Sequence, residues 1–183
     1  MIALHGFFAE AVALGEASLA EISGCETEIH VLEIRCSSLG EFGDQGLRLS
    51  EDLVAGVMGR LDGPMPGTLN LSVEPEDALV WTRIGGGGDP LEIFVSLGRA
   101  LFGGVATAIG EVLEAESQFV GGTLVEEPEL AVLVQTHAPS DTVVFSAQLR
   151  IEIRDEIVSA ITHLLIEPKY LAQLLSGLSA AVH

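Results

Sequence analysis

The sequence predicts a single α+β domain, residues 1–183, built from two similar halves. Three observations lead to this prediction. Helical and strand-like hydrophobic patterns alternate along the chain, two short motifs recur in the same order, and 183 residues suit one domain. One half spans about residues 7–85 and the other about 90–180. Repeated halves usually join their sheets about a pseudo-twofold axis, with the long helices packed together on one face.

The first half opens with a helix and continues into a strand. Apolar residues at helical spacing are interleaved with glutamates over residues 7–24, where Gly24 supplies the stop signal. Residues 28–35 alternate well enough to predict a strand. The polar, Gly/Ser- and acid-rich residues 37–51 predict a solvated connector.

A hairpin and a short helix complete the first half. Residues 53–61 and 67–73 are strand-like and flank Asp62-Gly63-Pro64, which is a turn sequence. Residues 74–79 are predicted to open a short helix, because a proline and acidic residues suit a first helical turn. The four glycines at 85–88 end it.

The second half begins with the clearest helix start in the chain. Asp89 is a capping residue, Pro90 suits the first helical position, and Glu92 stands three residues after the cap. The predicted helix runs to about Ala115. Its middle has little side-chain volume, at Gly98, Gly103, Gly104, Ala106 and Ala108. Because glycines weaken a helix, so many of them predict close approach to another backbone.

Strands and a final helix complete the second half. Turns are predicted at residues 139–141 and 154–155, and a helix over 168–180. The predicted strands cover residues 118–125, 130–135, 143–153 and 157–166.

The two halves share two motifs in the same order. Leu71-Ser72-Val73-Glu74-Pro75 recurs as Leu164-Leu165-Ile166-Glu167-Pro168, each copy ending a hairpin and starting a helix. Upstream, Leu19-Ala20-Glu21-Ile22 matches Ile109-Gly110-Glu111-Val112, each copy closing a helix before a strand. Two matched features in one order predict an internal duplication.

Composition excludes several classes of function. The chain holds 8 Lys+Arg against 27 Asp+Glu, and its net charge of −19 repels nucleic acids and anionic lipid surfaces. With 48% hydrophobic residues, the chain has ample apolar surface to offset its ordering entropy and is not disordered. The same apolar content, with only 5% aromatic residues, fits a homo-oligomer with a buried interface.

The sequence predicts neither a signal peptide nor a membrane span. Its start lacks a basic region, and charges and glycines interrupt the longest apolar region, residues 91–109. We therefore expect a cytoplasmic protein in which Cys25 and Cys36 are reduced, small, buried hydrophobic residues. The histidines show no metal-ligand spacing, so neither a metal nor a cofactor is predicted.

Taken in order, several motifs resemble the CheC/CheX/FliY group of chemotaxis phosphatases and the related middle domain of the flagellar switch protein FliM. They are Leu61-Asp62-Gly63-Pro64 with Gly67-Thr68-Leu69, then Pro75-Glu76-Asp77-Ala78-Leu79, and the small-residue run over 102–109. The resemblance covers roughly residues 53–178, with residues 7–34 as a fainter first copy. It implies a duplicated CheC-like fold, in which two long antiparallel helices lie across an antiparallel sheet of six or more strands.

The resemblance also implies docking onto the receiver domain of a phosphorylated response regulator. Phosphatases of the group use a helical Glu and, three residues later, an Asn whose amide orients the attacking water. This chain lacks that pair, because Ser96 stands at the Glu position and Arg99 at the Asn position. Glu92 lies four residues before Ser96, and the first half has Gly6 and Ala9 at the corresponding positions.

No other register restores the pair. Asn70, on a predicted strand, is the only asparagine in the chain. Gln118 and Gln135 carry the same amide group, but the sequence places them at or beyond the end of the helix, away from this face.

Glu92, Ser96 and Arg99 are therefore candidates for binding a partner, with no catalytic residue assigned. Arg99 suits bidentate contact with a phosphate or a carboxylate. The alternatives are that Arg99 lies along apolar surface or pairs with an acid such as Glu92 or Glu10. Glu92 is also explained by helix capping, and no base is evident that would activate Ser96 as a nucleophile.

The sequence thus favours a non-catalytic binding or scaffold protein of bacterial chemotaxis or two-component signalling, which docks a receiver or a related domain. A second hypothesis is an aspartyl-phosphate phosphatase that uses Glu92 and Arg99. A third is a FliM-like structural component of a flagellar or secretion ring.

Overall fold

The structure is a computed structural model that describes residues 2–45, 47, 49, 55–84, 89–126 and 138–181. Its helices are α1 Ile2–Ser23, α2 Leu39–Gln45, α3 Pro75–Ile84, α4 Pro90–Val112 and α5 Pro168–Ala181. Its strands are β1 Thr27–Ser38, β2 Ala55–Asp62, β3 Gly67–Val73, β4 Gln118–Glu126, β5 Val143–Ile153 and β6 Glu156–Ile166. The predicted α+β class is confirmed.

The strands form one antiparallel sheet in the order β1-β5-β6-β3-β2-β4. β3 and β6 are the central pair, and Asn70 lies opposite His163 in their register. Exchanging β1, β2 and β3 with β4, β5 and β6 gives the same strand order read from the opposite edge of the sheet. An internal duplication would produce such an order, and the duplication itself stays a prediction.

The core lies between one face of the sheet and the two long helices. Every second residue of β3, β5 and β6 is buried on that face, including Leu69, Leu71, Phe145 and Leu164. On α1 the buried residues recur at helical spacing and include Phe8, whose ring centroid lies 6.0 Å from that of Phe145. Because this apolar spacing extends back to Leu4, α1 begins earlier than the predicted residue 7.

α4 starts as the sequence predicts. Asp89 caps the helix, since its Oδ1 accepts a hydrogen bond from the backbone N–H of Leu91 at 3.0 Å, and Pro90 follows at the first helical position. The helix ends at Val112, three residues before the predicted end, and the backbone turns through Glu114 at a positive φ of 50°. Among the described residues, α4 is long and apolar enough to cross a membrane, and more than half of that apolar window is buried inside the fold.

α1 and α4 touch backbone to backbone, as the glycine content of α4 predicts. A Cβ at Gly104 would overlap the Gly15 nitrogen and lie 2.7 Å from the Ala11 oxygen. A Cβ at Gly15 would in turn lie 3.2 Å from the Leu101 Cα. A Cβ at Gly103, the residue before Gly104, would meet nothing within 4 Å. Glycine is therefore required at Gly104 by contact, and Gly103 is not explained by packing.

The connector predicted over residues 37–51 is wrong in part, because it contains α2. The Ser38 hydroxyl donates to Glu41 Oε2 at 2.9 Å at the start of this helix. Phe42 then packs edge-on against the ring of His163, with centroids 5.1 Å apart. A buried contact on the second face of the sheet thus stabilises a helix that composition alone does not indicate. The glycines at 85–88 and the strand predicted over 130–135 lie outside the described residues, as do residues 53 and 54 of the first predicted hairpin strand.

The other predicted elements are confirmed with small shifts of their ends, among them the hairpin of β2 and β3 and the final helix, α5. The prediction for the cysteines is wrong for Cys36, which is exposed near the end of an edge strand. Cys25 is half-buried, and its thiol donates to the Ser23 carbonyl at 3.2 Å.

The α1–α4 contact predicts opposite effects for two neighbouring substitutions. Gly104→Ala forces the helix backbones apart, so we expect a loss of about 1–3 kcal/mol in the free energy of unfolding. Gly103→Ala adds a methyl group in open space and removes a helix-weakening glycine, so we expect a gain of roughly 0.5–1 kcal/mol. Urea unfolding of the two variants checks both values. Equal effects of the same sign would contradict the packing.

Candidate functional site

Glu92, Ser96 and Arg99 lie on one face of α4. With Gly103 and Thr107, spaced three or four residues apart, they form a row that we call the α4 stripe. The opposite side of the helix packs into the core through residues such as Leu97, Leu101 and Val105. Glu92, Arg99 and Thr107 are exposed, while Ser96 and Gly103 are partly buried. The helix therefore places the three sequence candidates together on an accessible surface.

Arg99 pairs with neither Glu92 nor Glu10, the two acids that the sequence suggested as its partners. Its Nε–H donates to the Gly121 carbonyl at 2.7 Å, and Nη2 lies 3.5 Å from the Gly122 carbonyl. It forms no ion pair with any residue that the structure describes. The expectation that Arg99 pairs with Glu92 or Glu10 is therefore wrong, and the guanidinium is instead anchored on the edge strand β4.

A bulge in β4 makes that anchor possible. The register between β2 and β4 shifts at Gly59, so that Gly122 has no partner across the ladder. Gly121 and Gly122 have positive φ values of 92° and 103°, a region that favours glycine. A Cβ at Gly122 would lie 2.7 Å from Arg99 Nε, because the arginine side chain lies directly over this residue.

A cleft of about 340 Å³ opens between α4 and β4, which we call the α4–β4 cleft. The residues that line it include Arg99, Gly103, Thr107, Gln118, Phe119 and Gly121. The ring of Phe119 packs against Phe102 of α4, with centroids 4.9 Å apart, and holds the strand against the helix.

Gln118 is the residue that sequence reasoning placed wrongly. It is the first residue of β4 and was expected beyond the end of the helix, away from the stripe. β4 turns back along α4, so Gln118 lines the same cleft as Arg99 and Thr107. The short link between Val112 and Gln118 was the available signal, since five residues keep a strand start close to the helix it follows. Gln135 lies outside the described residues.

Asn70, the only asparagine, is fully buried in β3. Its Nδ2 donates to the Ser72 hydroxyl at 2.9 Å and lies 3.3 Å from His163 Nδ1. His163 Nε2 lies 3.2 Å from the Leu47 carbonyl, which only accepts, so Nε2 carries the proton and Nδ1 accepts from Asn70. Asn70 therefore belongs to a buried polar network and does not reach a water at the surface.

The stripe has limited chemistry of its own. Ser96 makes no side-chain hydrogen bond within the described part of the chain, so no base activates its hydroxyl there. Gly6 and Ala9, the corresponding positions on α1, are exposed and carry no functional group. The described residues also contain no group of three or more His, Cys, Asp or Glu placed to hold a metal. The stripe thus presents one arginine and several polar groups at an accessible surface.

Solved structures similar to the chain confirm the fold that the resemblance implied. FliY from Thermotoga maritima aligns with a TM-score of 0.74 at 13% identity, over 97% of this chain and 94% of that one. A chain of the FliG–FliM complex from H. pylori aligns with a TM-score of 0.61 at 15% identity, over 91% of both chains. A chain of the CheX–CheY–BeF3–Mg2+ complex from Borrelia burgdorferi aligns with a TM-score of 0.50 at 11% identity, over 88% and 96%.

No protein-family model and no curated protein sequence matches the chain. At these identities the structural likeness shows the fold alone. The chain thus has the CheC/CheX/FliY-like fold, shared by chemotaxis and flagellar proteins.

The surface position of Arg99 predicts that its side chain is dispensable for folding. In Arg99→Gln, water replaces the guanidinium at the exposed end of the contact, so we expect the free energy of unfolding to change by less than about 1 kcal/mol. Urea unfolding measures this change. A loss of several kcal/mol would mean that the bulge depends on Arg99, and that the residue is structural.

Proposed function

We propose that the chain is a non-catalytic binding or scaffold protein of bacterial chemotaxis or two-component signalling, acting in the cytoplasm. It docks the receiver domain of a response regulator, or a related domain, through the α4 stripe. The observation that carries this proposal is the accessible row of Glu92, Ser96 and Arg99 on a long core helix of a CheX-like fold. The CheX–CheY complex supports a receiver as the kind of partner, since that protein pairs with one.

The absence of the Glu/Asn pair supports binding without catalysis. The only asparagine is enclosed between strands, and Arg99 stands on the stripe where the resemblance expects an asparagine. An arginine contacts carboxylates or phosphates strongly, but its guanidinium only donates hydrogen bonds and takes no proton from a water. The stripe therefore suits recognition.

Binding to receivers tests the proposal. The full chain is titrated with a panel of purified receivers, each with and without beryllofluoride, and affinity is measured by calorimetry. We expect one receiver to bind, and Arg99→Gln to weaken that binding by about tenfold through loss of a charged contact. Arg150→Gln is the matched control, because Arg150 is half-exposed on β5, away from the stripe, and pairs with Glu152 at 3.0 Å.

Two results would contradict the proposal. One is that no receiver binds in either state. The other is that Arg99→Gln and Arg150→Gln weaken binding equally, which would assign the effect to net charge rather than to the stripe.

A second candidate function is an aspartyl-phosphate phosphatase with an unusual site. The position of Gln118 in the cleft beside Arg99 favours it, because a glutamine amide can orient a water as an asparagine does. Glu92, the acid that the sequence suggests as the partner of Arg99 in catalysis, is not among the residues that line the cleft. Phosphate release from phosphorylated receivers, compared with their own rate of dephosphorylation, tests this function. We expect acceleration that Gln118→Ala abolishes if the site is catalytic, and no acceleration if the chain is a scaffold.

The FliY and FliM neighbours support a third candidate, a structural component of a flagellar or secretion ring. This candidate predicts assembly beyond a dimer. Light scattering on the sample used for titration therefore distinguishes a ring component from a small docking protein.

A further inference from the structure

We propose that the α4–β4 cleft binds one carboxylate, presented by the partner protein among basic residues. This inference rests on the docking function proposed above and names the chemistry by which the site recognises its partner. It follows from the orientation of Arg99, from the donors that remain uncommitted in the cleft, and from the charges that surround it.

Arg99 is oriented before any partner arrives. Its Nε–H is held by the Gly121 carbonyl at 2.7 Å, whereas the Nη2 contact to Gly122 is long, at 3.5 Å. The terminal nitrogens therefore keep most of their N–H groups for another acceptor. The planar end of a guanidinium matches the two oxygens of a carboxylate, and anchoring Nε lowers the ordering cost of that contact.

Few other donors of the cleft remain available. The Thr107 hydroxyl donates to the Gly103 carbonyl at 2.9 Å, and the Ser117 hydroxyl donates to the Asp62 carbonyl at 3.4 Å. Gln118 also lines the cleft, and its amide makes no side-chain hydrogen bond with the described residues. A guanidinium end and one amide satisfy a carboxylate, whereas a phosphate brings more oxygens and more negative charge than these groups can match.

Acidic residues form a border at both ends of the stripe, beginning with Glu92, its first residue. Glu92 lies one turn before Ser96, and Glu111 lies one turn after Thr107. Both glutamates are exposed. Glu114 and Glu116, which follow the helix, are exposed too. Arg99 thus offers one positive charge within an acidic surface on a chain of net charge −19. An acidic partner surface is repelled by this border, so the complementary partner places a single carboxylate among lysines or arginines.

Two matched glycines allow a side chain to be added inside the cleft and, as a control, away from it. Gly103 lines the cleft and Gly6 lies exposed on α1, and a Cβ on either meets nothing within 4 Å. Gly103→Leu fills the cleft, whereas Gly6→Leu makes the same change on a different helix surface. Arg99→Lys keeps the charge but removes the guanidinium end.

The probes are two capped peptides, Lys-Lys-Glu-Lys-Lys and Lys-Lys-Gln-Lys-Lys, titrated into the full chain and followed by nitrogen-15 NMR. We expect the Glu peptide to shift the Gln118 side-chain amide and to bind about fivefold more tightly than the Gln peptide. Gly103→Leu and Arg99→Lys should abolish this difference, and Gly6→Leu should retain it. Equal binding of the two peptides, or a difference that survives in Gly103→Leu, would overturn the inference.

The receiver titration with the same variants separates the two proposals. If the peptides are distinguished but no receiver binds, the carboxylate site is supported and the receiver-docking function fails. If a receiver binds Gly103→Leu as tightly as the unaltered chain, the docking function is supported and the carboxylate site is overturned.

Discussion

The backbone contact between α1 and α4 is the constraint on which the rest of the structure depends. Gly104 lies so close to Ala11 and Gly15 that no side chain fits between the helices. This approach lets both helices lie on one face of the sheet and bury Phe8 and Leu101 against it. Because one side of α4 is used by this contact and by the core, its other side carries the residues available to a partner.

The exposure of the α4 stripe is therefore a consequence of how α4 packs. Arg99 comes to an exposed position because Leu97 and Leu101, on either side of it in sequence, are fully buried. The β4 bulge then supplies carbonyls at Gly121 and Gly122 that hold the guanidinium in place. Arg99 stands where the resemblance expects an asparagine. Backbone carbonyls of β4, rather than an acidic side chain, thus hold its guanidinium.

Much of the fold could be predicted because local signals and tertiary packing agree. Asp89 and Pro90 mark a helix start that the structure keeps, and strict alternation over 143–153 gives the bounds of β5. α2 was missed because its stability comes from the contact of Phe42 with His163, more than a hundred residues away in sequence. The amino-acid composition of α2 shows that the segment is polar, but it does not show which surface the helix packs against.

The helix that carries the candidate site could be predicted from the sequence, but the contacts that β4 makes with that helix could not. Spacing alone places Glu92, Ser96 and Arg99 on one face of α4. Whether Arg99 meets an acid or a carbonyl depends on where β4 returns, and the bulge at Gly122 that decides this is a feature of strand register. Gln118 was missed for the same reason, because a position past a helix end can lie beside that helix after one tight turn.

The distance between the backbones of α1 and α4 is the quantity on which this packing depends most directly. A nuclear Overhauser measurement on the nitrogen-15- and carbon-13-labelled chain reports this distance without any substitution. We expect a strong cross-peak between the Hα protons of Gly104 and the amide proton of Gly15, since a Cβ built on Gly104 would overlap the Gly15 nitrogen. Absence of that cross-peak in a folded sample with both resonances assigned would contradict the helix packing and the exposed face that follows from it.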